Sequence, residues 1–157
     1  MKRHSRNEVA VSDLKAHVGF WMRFVSNHVS HAFARKLLTS NVTVAEWVML
    51  REMYSATEMT PSMLADATGM TRGAVSKLVE RLVRKRLVTR QDRSDDRRFQ
   101  SIALTEAGRK LVPKLATLAD ENDAEFFSAL TASERQALLT ALKKLVEANG
   151  LTTIPTE

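Results

Sequence analysis

Charged residues of both signs are crowded into one part of this 157-residue sequence. Residues 71–98 contain ten Lys or Arg and four Asp or Glu, an excess of six positive charges. The whole chain has a net charge of +6, so the remainder is neutral. A local excess of this kind is typical of a surface that binds a polyanion such as nucleic acid. A solvated charge run is the alternative, but such runs seldom account for the whole imbalance of a chain.

The composition limits the class of protein. With 44% hydrophobic and 27% charged residues, the chain resembles an average globular domain, and its length suits one domain. It contains no cysteine, which excludes disulfides and thiolate metal sites and fits a reducing compartment. No apolar stretch follows the basic amino terminus, and no run reaches membrane-spanning length. We therefore expect a cytoplasmic protein without a membrane partner.

Threonines mark the starts of most predicted helices. Two of them are followed three residues later by Glu, the spacing of a capping box, in which each side chain bonds a free backbone N–H of the first turn. Another precedes Pro61, and proline suits the first helical position because its missing donor would have been unused there. The predicted helix starts are Thr43, Thr60, Thr71, Thr105 and Thr131.

Apolar periodicity supplies the other elements. A long amphipathic helix is predicted over residues 12–38, and two more over 105–130 and 131–149. Between the fourth and fifth helices, residues 87–91 and 99–104 are expected to pair as a hairpin around the charged loop. The predicted fold is mostly α with a small β-hairpin, in the order α-α-α-α-β-β-α-α.

Residues 60–82 have the spacing of a helix-turn-helix. Ala65 is small where two helices must approach, and Gly69 stands where the turn favours a positive φ. Val75, Leu78, Val79 and Leu82 form one stripe of the second helix. The opposite face carries Arg72, Gly73, Ser76, Lys77 and Arg84. A face that is small and hydrogen-bonding at its amino end and basic further on suits a helix that enters the major groove.

Two segments resemble the MarR (multiple antibiotic resistance regulator) family. The first is LADATGMTRGAVSKLVERLVRKRLVTR, and the second is DRRFQSIALTEAGRKL, in which Asp-Arg-Arg precedes an alternating strand and Leu-Thr-Glu-Ala-Gly. The resemblance covers nearly the whole chain. It implies a winged helix-turn-helix with a helical dimerisation region, and a transcription regulator that binds double-stranded DNA.

The resemblance also implies roles for individual residues. Arg98 matches the wing arginine that enters the minor groove, Arg97 lies beside it for phosphate, and Asp96 matches the acid that holds such arginines in place. Arg93 belongs to the same wing. The DNA-contacting residues expected on the recognition helix are Thr71, Arg72, Gly73, Ser76, Lys77 and Arg81.

A protein of this type is expected to act as a homodimeric repressor on a pseudo-palindromic operator, because one recognition helix reads only a few base pairs. Residues 12–38 and 105–149 would form the dimerisation region, and residues 43–104 the DNA-binding lobe. Residues 1–11 and 151–157 are expected to be flexible tails. The apolar candidates for the core or the dimer interface are Leu14, Val18, Trp21, Phe126, Phe127, Leu138, Leu142 and Leu145.

The resemblance further implies a small effector, often aromatic and anionic, bound between the dimerisation helices and the DNA-binding lobe. The residues expected to line its pocket are His17, Trp21, Trp47, Arg51 and Tyr54. Trp21 and Trp47 would serve equally as core residues. His17, His28 and His31 lie near one face of the first helix, but no cysteine or carboxylate joins them at ligand spacing, so neither a metal nor a cofactor is expected.

Two positions depart from the family pattern. Arg86 stands where the family usually has glycine, so that either its backbone is unusual or the recognition helix ends differently. Residues 99–104 are less apolar than a typical second wing strand, and their pairing is expected to be short.

No phosphate loop, nucleophile elbow, paired catalytic carboxylates or metal motif occurs, so no enzyme activity is expected. A winged helix used for protein contact and a basic DNA-processing enzyme are the alternatives.

Overall fold

The order of helices and strands agrees with the sequence-based prediction. The structure is a computed structural model that describes residues 10–92 and 100–154. Its α-helices are α1 (Val18–Leu37), α2 (Val44–Tyr54), α3 (Pro61–Thr68), α4 (Arg72–Arg84), α5 (Glu106–Phe126) and α6 (Ala132–Ala148). Strands β1 (Val88–Asp92) and β2 (Gln100–Leu104) lie between α4 and α5. The predicted class, mostly α with one hairpin, is confirmed.

The predicted threonine caps are all present. Thr43 and Thr131 each form a complete capping box. The threonine hydroxyl accepts the N–H of the third helical residue, and the carboxylate of that residue, Glu46 or Glu134, accepts the N–H of the threonine. The hydroxyls of the other three accept backbone N–H donors at the starts of α3, α4 and α5. Local side-chain chemistry therefore decides where five of the helices begin.

The first predicted helix is interrupted near its start. A short 3-10 turn, Leu14–Ala16, is capped by the carboxylate of Asp13, which accepts the N–H of Lys15. His17 is then extended, with ψ of 125°, and α1 begins only at Val18. The break follows from the capped turn, because an extended residue cannot continue a helical hydrogen-bond ladder.

The hairpin is antiparallel, with Val88 opposite Leu104 and Asp92 opposite Gln100. Each strand lies about one residue from its predicted position, and the pairing spans five residues. A third segment joins it, because Met59 and Ile102 exchange two backbone hydrogen bonds of 2.9 and 2.8 Å. The loop before α3 therefore lies along the open edge of β2.

The core lies where the carboxyl half of α1, helices α2 to α4, the hairpin and α5 meet. Its fully buried members include Leu37, Met49, Leu50, Leu64, Val75, Leu82, Ile102 and Leu115. By contrast, the amino half of α1 and the whole of α6 carry large apolar side chains in solvent, and α6 buries no residue. These exposed side chains include Leu14, Val18, Trp21, Phe24, Leu138, Leu142 and Leu145. Phe126 and Phe127 are half-buried and pack edge to face.

The segment after α6 returns to the turn between α3 and α4. The N–H of Ile154 donates to the carbonyl of Gly69 over 2.7 Å. Residues 1–9 and 155–157 lie outside the described residues, so the expected flexible tails stay a prediction.

Candidate nucleic-acid interface

The turn between α3 and α4 has the predicted helix-turn-helix geometry. Gly69 follows α3 with φ of +68°, in the left-handed region that glycine adopts without a steric penalty. Ala65 is buried between the packed helices, and Thr71 caps α4 two residues after the glycine. The helix-turn-helix is therefore confirmed.

The two faces of α4 divide as its sequence predicts. Val75, Leu78, Val79 and Leu82 are buried. The six residues expected to contact DNA are all exposed: Thr71, Arg72, Gly73, Ser76, Lys77 and Arg81. Neither Arg72 nor Lys77 has a hydrogen-bond or ion-pair partner among residues 10–92 and 100–154. A methyl group added at Gly73 would meet nothing within 4 Å. This face of α4 is therefore basic, and no other described segment of the chain covers it.

The carboxyl end of α4 explains the departure at Arg86. That residue has φ of +58°, so the first of the two alternatives, an unusual backbone, is the one observed. The N–H of Leu87 donates to the carbonyl of Leu82, and the N–H of Arg86 to that of Val83. These bonds form a left-handed helix end of the kind usually made by glycine. The cost for a residue with a side chain is about 1 kcal/mol.

A buried acid lies behind this helix end, and its contact was not foreseen from the sequence. Glu46 on α2 is 0% exposed, and its Oε2 accepts the N–H of Thr43 at 2.9 Å and the Nζ of Lys85 at 2.8 Å. Burial raises the pKa of the Glu46 carboxyl, but the hydrogen bonds from Lys85 and Thr43 and the charges of Lys85 and Arg81 outweigh it, so the pKa lies below its ordinary value. The capping box marks Glu46 in the sequence, whereas nothing local marks its pairing with a lysine 39 residues away.

The wing is described only at its base. On β2, Ser101 and Ile102 are buried, while Arg90 on β1 is exposed. The four predicted wing residues lie outside the described residues, and their roles stay predictions: Arg93, Asp96, Arg97 and Arg98.

The five residues predicted to line an effector pocket belong to the start of α1 and to α2. Trp21 is 48% exposed and its Nε1 donates to the carbonyl of Lys15, while His17 precedes α1. Trp47 packs edge to face against a core phenylalanine.

The remaining two lie on exposed turns of α2. Arg51 donates to the hydroxyl of Ser55 at 3.0 Å. The ring of Tyr54 lies 5.5 Å from the guanidinium of Arg109 on α5, a cation–π contact.

Two shallow cavities lie in other parts of the described structure. One, of about 400 Å³, lies between α1 and α5 and is lined by Ala32, Arg35, Lys36, Asn122, Glu125 and Phe126. The other, of about 370 Å³, lies on α6. Neither includes any of the five predicted pocket residues. Within the part of the chain that the structure describes, no three potential metal ligands come together, and no helix has the length and apolarity needed to cross a membrane.

The chain is similar to known regulators. The sequence profile of the MarR family matches residues 40–98, which include the helix-turn-helix and the start of the wing. A mutant of MarR from E. coli complexed with operator DNA is 26% identical with a TM-score of 0.78, over 86% of this chain and 99% of that one. The S. aureus MepR–DNA complex is also 26% identical with a TM-score of 0.78, over 84% of this chain and 98% of that one.

A third structure supports the fold alone. It concerns regulation of the DNA binding of Bordetella bronchiseptica BpsR by 6-hydroxynicotinic acid, and has a TM-score of 0.80 and 24% identity over 87% of this chain and 97% of that one. The profile match, the fold and the exposed basic face of α4 all indicate a DNA-binding regulator. Residues 40–98 match the MarR family, and the chain has the fold of winged-helix transcription regulators of that family, including two in complex with DNA.

Proposed function

We propose that this protein is a homodimeric repressor that binds a pseudo-palindromic DNA operator and releases it when a small, aromatic and anionic compound binds. The observation that carries the proposal is that one chain has both an exposed basic face on α4 and exposed apolar faces on α1 and α6. The basic face suits the major groove of DNA, and the apolar faces suit a partner protomer.

The proposed division of labour follows the burial pattern. Residues 43–104 bind DNA, and residues 12–38 and 105–149 form the dimer. Exposed side chains such as Val18, at 71%, and Trp21 would lie against the partner, because soluble monomers rarely leave such continuous apolar surface in water. The two-fold axis would then place the two α4 helices on one side of the duplex, about 34 Å apart.

The proposed DNA contacts divide by chemistry. Thr71, Gly73 and Ser76 lie near the amino end of α4, where short side chains permit close approach to base edges. Arg72, Lys77 and Arg81 supply contacts to phosphates or guanines. The arginines at positions 97 and 98 extend this surface into the minor groove, with Asp96 orienting them.

The proposed effector is supported by likeness. The regulation of BpsR by 6-hydroxynicotinic acid shows that an aromatic, anionic compound acts on a protein of this fold. In this chain Arg51 and Tyr54 on α2 offer a cation and an aromatic ring at the border between the two regions. We place the effector near them, with His17, Trp21 and Trp47 as the other lining residues.

Selection of bound fragments from random duplex DNA tests the DNA-binding part of the proposal. We expect an inverted repeat, bound more tightly than a scrambled duplex, with an affinity that falls steeply with salt. A strictly monomeric protein, or equal affinity for every duplex, would contradict the proposal. Equal affinity combined with capture of an acidic protein would favour the protein-contact alternative.

The effector is tested on the selected operator. A panel of phenolic and hydroxylated heteroaromatic acids is added to the complex, and release is followed by fluorescence anisotropy. We expect at least one acid to release the DNA at a concentration where its uncharged amide does not. Release by no acid would remove the effector from the proposal while leaving operator binding intact.

A further inference from the structure

At the carboxyl end of α4, the half-buried ammonium group of Lys85 bonds to two other segments of the chain. The Nζ of Lys85, the residue that ends α4, donates to Glu46 Oε2 at 2.8 Å and to the carbonyl of Asn41 at 2.7 Å. Asn41 ends the short turn after α1, and Glu46 lies in the first turn of α2. A single cation therefore joins the recognition helix to the corner between α1 and α2.

The local charges favour this arrangement. Asn41 has φ of 52°, and its carbonyl lies at the carboxyl end of the turn that continues α1, where helix carbonyls carry partial negative charge. Glu46 adds a full negative charge with no exposure to water. Both acceptors hold the ammonium from the side of the corner, so the position of Lys85 is defined by two hydrogen bonds rather than one.

The same helix end is held on its other side by α5. The hydroxyl of Thr105 donates to the carbonyl of Arg86 at 2.7 Å, and the N–H of Thr105 donates to that of Leu87 at 3.0 Å. Thr105 is the cap of α5, and α5 packs against α1. The end of α4 is thus held between the corner that joins α1 to α2 and the start of α5.

Stability alone does not explain this ion pair, in which Glu46 is buried and the side chain of Lys85 is 25% exposed. Glu46 Oε1 is buried and has no hydrogen-bond partner in the described residues, so the carboxylate is only partly satisfied. Removing an ion pair from water is costly, and apolar replacements of similar volume often match or exceed its stability. Apolar side chains in the same place would not fix the relative position of the two segments as well. Hydrogen bonds require a defined distance and angle between donor and acceptor, whereas contacts between methylene groups do not.

We propose that Glu46 and Lys85 are positioning residues, which fix the orientation of α4 relative to α1 and α5 and thereby set the selectivity of DNA binding. The inference rests on the proposed operator binding. Specific contacts need both α4 helices of a dimer to enter grooves one turn apart, whereas phosphate contacts tolerate a displaced helix. Loss of the pair should therefore lower operator affinity more than affinity for scrambled DNA.

The first test separates positioning from stability. The double variant Glu46→Met with Lys85→Met leaves the net charge unchanged and replaces the pair with apolar side chains. We expect its unfolding temperature to fall only by the few degrees that the lost bond to the Thr43 N–H explains, while its ratio of operator to scrambled-DNA affinity falls at least about tenfold. The matched control is Glu106→Met with Lys110→Met, which removes an exposed ion pair on α5 and should leave both quantities unchanged.

The second test measures the position of α4 directly. Because the chain has no cysteine, a spin label introduced by Glu80→Cys on the exposed side of α4 is unique. Pulsed electron spin resonance then gives the distance between the two labels of a dimer. We expect a narrow distribution in the wild type and a broader or displaced one in the Met–Met variant.

The outcomes distinguish the inference from the proposed function. A wild-type protein without operator preference would overturn both. A wild type with operator preference and a Met–Met variant with the same preference and the same label distances would overturn the positioning role alone. Lys85→Met, which removes the ammonium group and both of its hydrogen bonds, replaces the double variant if that variant fails to fold; unchanged distances in it would equally overturn the role.

Discussion

Gly108 lies so close to the backbone of Leu87 that a Cβ there would overlap the carbonyl oxygen and approach the carbonyl carbon at 3.1 Å. That same oxygen accepts the N–H of Thr105, so it cannot move without loosening the start of α5. We therefore expect Gly108→Ala to lower the free energy of unfolding by about 1 to 3 kcal/mol. Urea denaturation measures the change, and unaltered stability would show that α5 can move away from Leu87 at little cost.

Gly73→Ala has the opposite effect on stability. Gly73 lies inside α4 with open space around it, so alanine should stabilise the helix by about 0.5 to 1 kcal/mol. On the proposed interface the added methyl group faces a base pair, and operator affinity should fall even as the unfolding temperature rises. Operator affinity equal to that of the wild type would place Gly73 away from the DNA.

Lys77→Ala tests the phosphate contacts of α4. Lys77 is exposed and has no partner in the described part of the chain, so its loss should weaken binding to all duplexes alike and reduce the salt slope by about one. Lys114→Ala, an exposed lysine on α5, carries the same charge change as a control. A loss confined to the operator would make Lys77 a base reader instead.

Leu142→Asp tests the dimer. Leu142 is 38% exposed on α6 beside other exposed leucines, and a carboxylate there would be buried without a partner in the proposed interface. We expect a monomer by light scattering and loss of operator affinity. Lys143→Asp changes the polar side of the same helix and should remain dimeric; dimers formed by both variants would exclude α6 from the interface.

The ion pair between Glu46 and Lys85 makes the free energy of unfolding depend on pH in the acid range. The folded-state pKa lies below the ordinary value of 4.5, so the pair contributes its full stability above that value. As pH falls below 4.5 and through the folded pKa, the contribution is lost. Thermal unfolding from neutral pH to pH 3 should show this loss, and Glu46→Gln should lessen it. Glu134→Gln is the control, because Glu134 is capped similarly but exposed to solvent.

Much of the fold follows from short-range signals. The threonine caps, the glycine at position 69 and the apolar stripe of α4 act within one or two turns of chain, and each was predicted correctly. The order of elements and the helix-turn-helix needed little else. The break before α1 was missed because it depends on Asp13 capping a short turn, and that signal competes with a strong apolar periodicity.

Contacts between distant segments were beyond such reasoning. Nothing near Glu46 in the sequence indicates Lys85, and the pairing of Met59 with Ile102 joins an apparent loop to a strand. The residues expected around the effector follow from the family resemblance, and their role in binding it stays a prediction. The residues at the tip of the wing lie outside those described.

Helix α6 extends for 17 residues without burying one of them. Most of the stability of a helix in a protein comes from the packing of its apolar face rather than from helix propensity. In the proposed dimer, association of the two protomers therefore stabilises α6, and dilution of the protein should unfold this helix. The amount of protein in the cell would then govern the lifetime of its own carboxyl-terminal helix, which links copy number to proteolytic turnover.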